Sequence, residues 1–219
     1  AHIYEDEEIA SRIIAQKIAD EINAKNGIYK LGLTTGSSPV SIYKELVNLY
    51  KEGKVSFRNV EIYSIDEYYP APADSFSRNR RLYQDLVANV DIKPENVHVP
   101  KLTEIYDSTY VSEFCASYDA KASGLDYLVM GTGEKGQVGF NEEGSAQQSR
   151  TRTVLLPYTS RKRQAKNFAG DISQTPKSAI AMGISTMMSA KKICLIAWGE
   201  DKANVVKRIA EDKADSSCP

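Results

Sequence analysis

The sequence contains few of the residues from which metal and disulfide sites are built. It has three cysteines and two histidines among 219 residues, and Cys115, Cys194 and Cys218 lie far apart. This spacing excludes a disulfide framework and a cysteine-based zinc site, and it is typical of a reducing compartment. We therefore expect a cytoplasmic protein without a metal, in which the scarcity of histidine constrains any acid–base mechanism.

An excess of charge of one sign is also missing. Lys and Arg total 28, Asp and Glu total 29, and the formal net charge is −1. A general nucleic-acid binder carries a basic excess, so nucleic acid is not an expected partner. The longest uncharged run, 178–190, contains Ser, Thr and Gly. It is too short for a membrane span of about 20 mostly apolar residues, so we expect no membrane partner.

What the sequence does contain is an alternation of helix and strand patterns. Isoleucines recur at three- and four-residue spacing over 6–24, which predicts an amphipathic helix. Apolar runs at 29–33, 60–65, 125–130 and 193–198 predict strands with helical segments between them. The predicted fold is therefore α/β: an open parallel sheet with helices on both faces, a Rossmann-like three-layer sandwich in a single domain.

Ligands of such sheets are expected outside the carboxyl ends of the strands. Four segments leave predicted strands at that edge, and we interpret them together as one candidate site. They are 34–39, 66–70, 131–145 and 199–202.

The first of these segments has the composition of a phosphate-binding loop. Thr35, Ser37 and Ser38 offer hydroxyl groups, and Gly36 lets the backbone approach a ligand closely. A helix beginning at Pro39, with Ser38 as its N-cap, would direct free N–H groups at the loop. The plainer alternative is a capped helix after an ordinary turn, and the strand before the loop favours anion binding.

The second segment begins with two adjacent acids, Asp66 and Glu67. Neighbouring strand residues point in opposite directions, so we expect one of the two to face the ligand. Acids at the end of a strand can instead be solvated turn residues. The apolar strand 60–65 favours a functional carboxylate because its carboxyl end meets the expected ligand edge.

The third segment begins at Gly131 and contains a G-x-G-x-x-G pattern over 131–136. A dinucleotide fingerprint of this form has to open a helix, whereas residues 137–144 show two further glycines and no helical period. We therefore do not expect a nicotinamide cofactor. Gly131 and Glu67 are retained as substrate-binding candidates at the shared edge.

Read together, six ordered segments resemble the glucosamine-6-phosphate deaminase/isomerase family over nearly the whole chain. They are 31–39, 64–68, 90–96, 139–142 with 144–145, 149–152 and 198–203. The sequence Asp-Glu-Tyr-Tyr-Pro at 66–70 is similar to a branch in which this domain can be part of a longer polypeptide. Enzymes of this family convert glucosamine 6-phosphate to fructose 6-phosphate and ammonia without a redox cofactor.

The resemblance implies roles for individual residues. Thr35, Gly36, Ser37 and Ser38 match the family's phosphate loop, and Lys166 and Lys202 match its phosphate-contacting cations. Asp66 matches the general base that moves a proton between C2 and C1. Glu142 matches the acid of the ring-opening relay. The resemblance also implies a sugar-phosphate substrate and a homo-oligomer.

The sequence departs from the family pattern at several positions. Gln137 stands where the relay has a histidine, and an amide cannot carry a proton at neutral pH. Glu143 replaces a usual proline, and Lys166 replaces a usual arginine, which keeps the charge but loses the bidentate fork. A single domain over 1–219 without the family's final strand is expected. We predict that sugar-phosphate binding and the Asp66 proton transfer survive while ring opening is impaired.

Two alternatives remain open from the sequence. One is a phosphosugar-binding domain whose catalysis has decayed. The other is a 6-phosphogluconolactonase-like hydrolase, which normally also uses a histidine in the third segment, so Gln137 weakens it equally.

Overall fold

The structure is a computed structural model that describes residues 1–213, 215, 217 and 218. The helices are α1 (Glu7–Ala24), α2 (Val40–Lys51), α3 (Arg80–Asp85), α4 (Ser108–Ala122), α5 (Tyr158–Gln164), α6 (Ile184–Met188) and α7 (Ala203–Glu211). The strands are β1 (Tyr29–Leu33), β2 (Val60–Ser64), β3 (Asp66–Tyr69), β4 (Val97–His98), β5 (Tyr127–Gly131), β6 (Arg152–Leu155), β7 (Ser178–Ala181) and β8 (Ile193–Ile196).

Within the described residues, five strands form a central parallel sheet in the order β4-β2-β1-β5-β8. This confirms the predicted α/β fold. From β1 the chain adds strands first on one side, through β2 to β4, and then on the other, through β5 to β8. The order therefore reverses between β1 and β5, and the crevice at the carboxyl ends of these two strands is where ligands of open α/β sheets bind.

Helices cover both faces of the central sheet because its strands are apolar on both sides. One apolar cluster joins α1, α2 and α3 to the sheet, with Ile18, Ile42 and Leu82 at its centre. The other joins α4 and α6 to the opposite face through Tyr118 and Met187. In the part of the chain that the structure describes, no helix combines the length and apolarity needed to cross a bilayer.

A second sheet was not predicted. It is antiparallel, in the order β3-β7-β6, and it contains the strand that begins at Asp66. The sequence pattern reads 60–65 as one strand that runs into a loop, but the chain changes sheets at Ile65. The N–H of Ile65 donates to the carbonyl of Leu33 at 3.2 Å, whereas its carbonyl accepts from the N–H of Met182 at 2.8 Å. The prediction of a loop at 66–70 was therefore wrong.

The start of α2 also differs from the prediction. Pro39 is the N-cap residue, and no side-chain hydrogen bond caps the helix. Ser38 instead offers its carbonyl to the indole N–H of Trp198 at 2.8 Å. This bond ties the loop after β1 to the segment after β8.

A buried carboxylate, Asp119 of α4, fastens this helix to the segments around the second sheet. Asp119 is 1% exposed. It accepts the N–H of Thr151 at 2.8 Å, the hydroxyls of Thr151 and Thr186, and an ion pair from Arg150. Burial raises the pKa of Asp119, but the hydrogen bonds and the Arg150 charge lower it further, so the pKa lies below its ordinary value.

We expect Asp119→Asn to lower the free energy of unfolding by about 1–3 kcal/mol near neutral pH, because charge-assisted hydrogen bonds are lost inside the protein. A carboxylate with a lowered folded pKa stabilises the protein above the unfolded value of about 3.9. That contribution disappears as the pH falls through the folded pKa. The free energies of unfolding of the wild-type protein and Asp119→Asn should therefore converge below about pH 4. Urea unfolding across pH measures this, and Asp74→Asn, at a carboxylate that is 90% exposed, is the control. Equal loss in both variants would contradict the assignment.

Candidate active site

A cavity of about 450 Å³ opens at the carboxyl ends of β1 and β5, at the reversal of strand order. All four predicted segments contribute to its surface, through 34–38, Tyr68, 131–142 and Lys202. Residues from 76–81 and 160–167 complete the wall. The predicted meeting of separate loops at one sheet edge is therefore present as a single pocket.

The loop after β1 forms one end of the cavity. The N–H of Thr34 continues the sheet to the carbonyl of Val129 at 2.9 Å, and the hydroxyl of Tyr43 donates to the carbonyl of Thr34 at 2.7 Å. Gly36 has a φ of +86°, a conformation that glycine adopts at low cost. The loop is thus held from both sides, and its residues 34–38 line the cavity.

Asp66 lies directly beneath this cavity and is completely buried. The hydroxyl of Thr35 donates to its Oδ1 at 2.7 Å. Arg78 donates from Nε to Oδ1 at 3.3 Å and from Nη2 to Oδ2 at 3.5 Å. Gly139 approaches so closely that a Cβ there would lie 2.8 Å from Oδ2. The two sides of the carboxylate are therefore occupied by protein groups in this conformation.

Glu67 points away from the cavity. It is 0% exposed, and it accepts from the N–H of Arg78 at 3.0 Å, from the side-chain amide of Asn79 at 3.0 Å and from the hydroxyl of Ser77. Asp66 and Glu67 bind different partners, and the expectation that one of them faces a ligand stays a prediction. Glu67 orders the segment that carries Arg78, and it does not line the cavity.

Gln137 stands in the third loop with its side chain turned into that loop. It is 6% exposed, and its Oε1 accepts the N–H of Lys135 at 3.0 Å. The amide packs against Gly133, whose N–H donates to the carbonyl of Gln137 at 2.8 Å. Of the two histidines in the chain, neither lines the cavity; His98 lies on β4, stacked on Tyr63 at 4.5 Å.

Glu142 is held by a short chain of hydrogen bonds. The hydroxyl of Ser160 donates to its Oε1, and Arg163 donates to the same hydroxyl at 2.8 Å. Ser160 is 1% exposed, so it acts as a fixed point for the carboxylate. Glu142 itself remains partly exposed at the cavity surface.

Positive charge dominates the cavity wall. Among the described residues, the cations that line it are Arg78, Arg80, Arg81, Arg163, Lys166 and Lys202, against the acids Glu134 and Glu142. Arg161, on the same helix as Arg163, turns away and donates to the carbonyls of Ile172 and Thr175. The surplus favours an anionic ligand.

Aromatic rings form the floor beside Asp66. Phe140 lies 4.6 Å from the guanidinium carbon of Arg78, and Tyr68 packs against Phe140 and Phe168. Burial raises the pKa of Tyr68 to about 12, partly offset by the Arg78 charge, so its hydroxyl stays protonated at neutral pH. Burial lowers the pKa of Arg78, but Asp66 and Glu67 raise it further, so the guanidinium stays charged.

Arg78, Ser160 and Gly139 are site residues that the sequence patterns did not reveal. Arg78 and Ser160 lie in segments without a recognisable motif, and only their long-range partners bring them to the cavity. Gly139 lies in the segment 139–142 that carries the family resemblance, but its close approach to Asp66 is visible only in the structure.

The chain is similar in sequence to proteins of one known family. The sequence profile described as glucosamine-6-phosphate isomerases/6-phosphogluconolactonase matches residues 5–219. A glucosamine-6-phosphate deaminase-like protein of Bacteroides thetaiotaomicron is 38% identical over 99% of the chain, which spans 33% of that relative's length. Glucosamine-6-phosphate deaminase 2 of Bacillus subtilis is 34% identical, over 99% of the chain and 87% of the relative.

Solved structures agree in fold. A monomeric glucosamine-6-phosphate deaminase superposes with a TM-score of 0.90 at 30% identity, covering 99% of this chain and 89% of that one. The 6-phosphogluconolactonase of Thermotoga maritima superposes at 0.73 with 19% identity, over 97% and 89% of the two chains, which is a likeness of fold alone. The homo-oligomer expected from the resemblance stays a prediction.

Proposed function

Because the chain belongs to the family of glucosamine-6-phosphate isomerases and 6-phosphogluconolactonases, we propose that it converts glucosamine 6-phosphate to fructose 6-phosphate and ammonia. The relatives named above as deaminases support the deaminase side of this family.

One observation carries the proposal: the hydroxyl of Thr35 donates to Asp66 at 2.7 Å. Thr35 belongs to the loop proposed to bind phosphate, and Asp66 is the proposed base. A ligand whose phosphate sits on that loop therefore has its carbon skeleton beside the carboxylate. Holding the reacting carbon and the base together removes much of the entropic cost of the reaction.

Binding uses the far end of the substrate. The phosphate group interacts with the N–H groups and hydroxyls of residues 35–38, and Lys166 and Lys202, which line the same cavity, supply positive charge. These contacts lie away from the reacting carbons, so their binding energy orients the sugar without opposing the chemical step.

Ring opening falls to Glu142. As the C1–O5 bond breaks, the carboxyl group of Glu142 protonates O5, and the proton of the C1 hydroxyl passes to water, which leaves an open-chain aldehyde. Ser160 and Arg163 keep the carboxyl group oriented. Gln137 cannot relay a proton, so this step relies on Glu142 and water alone.

Asp66 then moves one proton along the chain of the sugar. It takes the proton from C2, the electrons of that bond form a C1–C2 double bond, and O1 takes back the proton that it gave to water during ring opening, so the aldehyde becomes an enol. Returning the proton to C1 leaves an imine at C2. Water adds to the imine, the C2–N bond breaks, and ammonia leaves with fructose 6-phosphate as the ketone product. A positioned base of this kind contributes about 10²–10⁴-fold.

An ammonia-release assay with glucosamine 6-phosphate tests the proposal. We expect slow but measurable turnover. Fructose 6-phosphate should raise the melting temperature, with a stabilisation that grows logarithmically once its concentration exceeds its Kd, whereas NAD⁺ should not raise it. Stabilisation by NAD⁺ without any by fructose 6-phosphate would contradict the proposal.

A second candidate function is phosphosugar binding without turnover. The inward-turned amide of Gln137 favours it, because the loop offers no proton carrier at that position. Stabilisation by fructose 6-phosphate with no ammonia release would identify this function.

Gln137→His is expected to raise kcat on glucosamine 6-phosphate by about tenfold or more, because an imidazole near neutral pH can relay the ring-opening proton. Ammonia release measures the gain. Gln147→His, at an exposed position of the same loop, is the control and should change nothing. No gain, or a loss, at position 137 would show that the histidine relay is not what limits this protein.

A further inference from the structure

The proposed base is not accessible to a ligand in the free protein. Asp66 is 0% exposed, yet proton transfer needs direct contact between a carboxylate oxygen and the substrate carbon. Thr35, Gly139 and Arg78 cover the carboxylate, and all three line the cavity. At least one of them has to move before the substrate reaches Asp66.

The contact lengths indicate which group moves. Thr35 is held at the end of β1 and donates at 2.7 Å, and Gly139 contributes only backbone. Arg78 makes its bonds to Asp66 at 3.3 and 3.5 Å, well beyond the 2.7–2.9 Å that is usual for charge-assisted hydrogen bonds. The guanidinium is therefore the most weakly held part of the cover.

Arg78 also lies where a ligand would need a donor. The Nη1 atom of Arg78 donates to the side-chain oxygen of Gln164 at 3.4 Å. A Cβ added at Gly36 would lie 3.9 Å from this Nη1 atom. The guanidinium thus stands between the carboxylate and the loop proposed to bind phosphate. The ring of Phe140 supports it from below, and this contact does not depend on Asp66.

On the basis of the function proposed above, we propose that Arg78 is a substrate-binding residue that covers Asp66 in the free protein and transfers its hydrogen bonds to the oxygens of a sugar phosphate when the ligand enters. The exchange keeps the guanidinium paired with an anion or a hydroxyl group throughout. It also exposes a carboxylate that is free to act as a base.

Titration with fructose 6-phosphate, and with inorganic phosphate as a second probe, tests the exchange. Arg78→Gln should weaken fructose 6-phosphate binding about 10- to 100-fold, the usual range for losing charged hydrogen bonds. The affinity of Arg78→Lys for fructose 6-phosphate should lie between those of the wild-type protein and Arg78→Gln. Lysine keeps the positive charge but cannot form the paired hydrogen bonds of a guanidinium. Arg58→Gln removes the same charge outside the cavity, where Arg58 pairs with Asp91 at the surface, so its effect should stay below about threefold.

A double-mutant cycle isolates the exchange itself. Asp66→Asn removes the group that competes for Arg78 and should tighten fructose 6-phosphate binding about 3- to 10-fold, because a larger share of the Arg78 side chains is then free. In the Arg78→Gln background the same change should have less than about a twofold effect, so the two substitutions are not additive. Additive effects would overturn the proposal.

The outcomes separate this proposal from the proposed function. Turnover by the wild-type protein together with unchanged binding in Arg78→Gln overturns the role of Arg78 alone. Binding that depends on Arg78 without ammonia release overturns the reaction alone. Melting curves establish that each variant is folded, and where Arg78→Gln does not fold, Arg78→Lys decides: unchanged affinity for both probes overturns the proposal.

Discussion

Asp66→Asn should lower ammonia release from glucosamine 6-phosphate about 10²–10⁴-fold, the contribution of a positioned general base. Asparagine has the shape of aspartate and keeps an oxygen that accepts from the Thr35 hydroxyl, but it cannot take a proton from C2. The variant should therefore still bind fructose 6-phosphate. Steady-state ammonia release and a fructose 6-phosphate titration measure the two properties separately.

The matched control for this variant is Asp119→Asn, at a second buried carboxylate outside the cavity. It should lose stability and, at temperatures where it is folded, keep most of its turnover. Turnover that persists in Asp66→Asn would remove this residue from the mechanism. An equal loss of turnover in both variants would show that the loss comes from impaired folding and not from the missing base.

Gly139→Ala should lower turnover about 100-fold, because displacement of a catalytic group by about 1 Å can cost that much. The new Cβ would lie 2.8 Å from Oδ2 of Asp66 and 3.3 Å from Cδ1 of Ile65. Real Cβ atoms do not approach this closely, so the carboxylate has to shift. Its position is otherwise set by Thr35 and Arg78, and the shift disturbs both contacts.

Gly144→Ala separates the steric effect from backbone strain. Both glycines lie in the same loop with positive φ, +59° at Gly139 and +87° at Gly144, but nothing lies within 4 Å of a Cβ at Gly144. Each variant should lose about 1–2 kcal/mol of stability from the left-handed backbone. Only Gly139→Ala should lose turnover; an equal loss in both would mean that loop strain is the cause. Melting curves and kcat measured side by side distinguish the two results.

The sequence was informative wherever a pattern is local. The run 29–33 predicted β1 at its observed bounds, and the glycine and hydroxyl residues after it predicted a loop that lines the cavity. The isoleucine spacing likewise predicted α1 to within one residue at its start. These features depend on neighbouring residues, and periodicity reports them directly.

Features that depend on distant partners were missed. The second sheet forms because β3 pairs with β7 across more than a hundred residues of sequence, and the uncharged run that contains β7 has no alternation to reveal it. The burial of Asp66 under Arg78 has the same origin, since no local pattern specifies which side chain covers a strand end.

The backbone of Ile65 joins the two sheets. Its N–H donates to the carbonyl of Leu33 in β1, and its carbonyl accepts from the N–H of Met182, the residue after β7. A displacement of one sheet relative to the other would have to change the two backbone hydrogen bonds of Ile65. The next residue in the chain is Asp66. The second sheet also contacts the acid directly, because Asp66 pairs with Ala181 of β7, and β7 pairs in turn with the outer strand β6. The position of the Asp66 carboxylate therefore depends on the pairing of the smaller sheet, even though strand β6 at its outer edge lies outside the cavity.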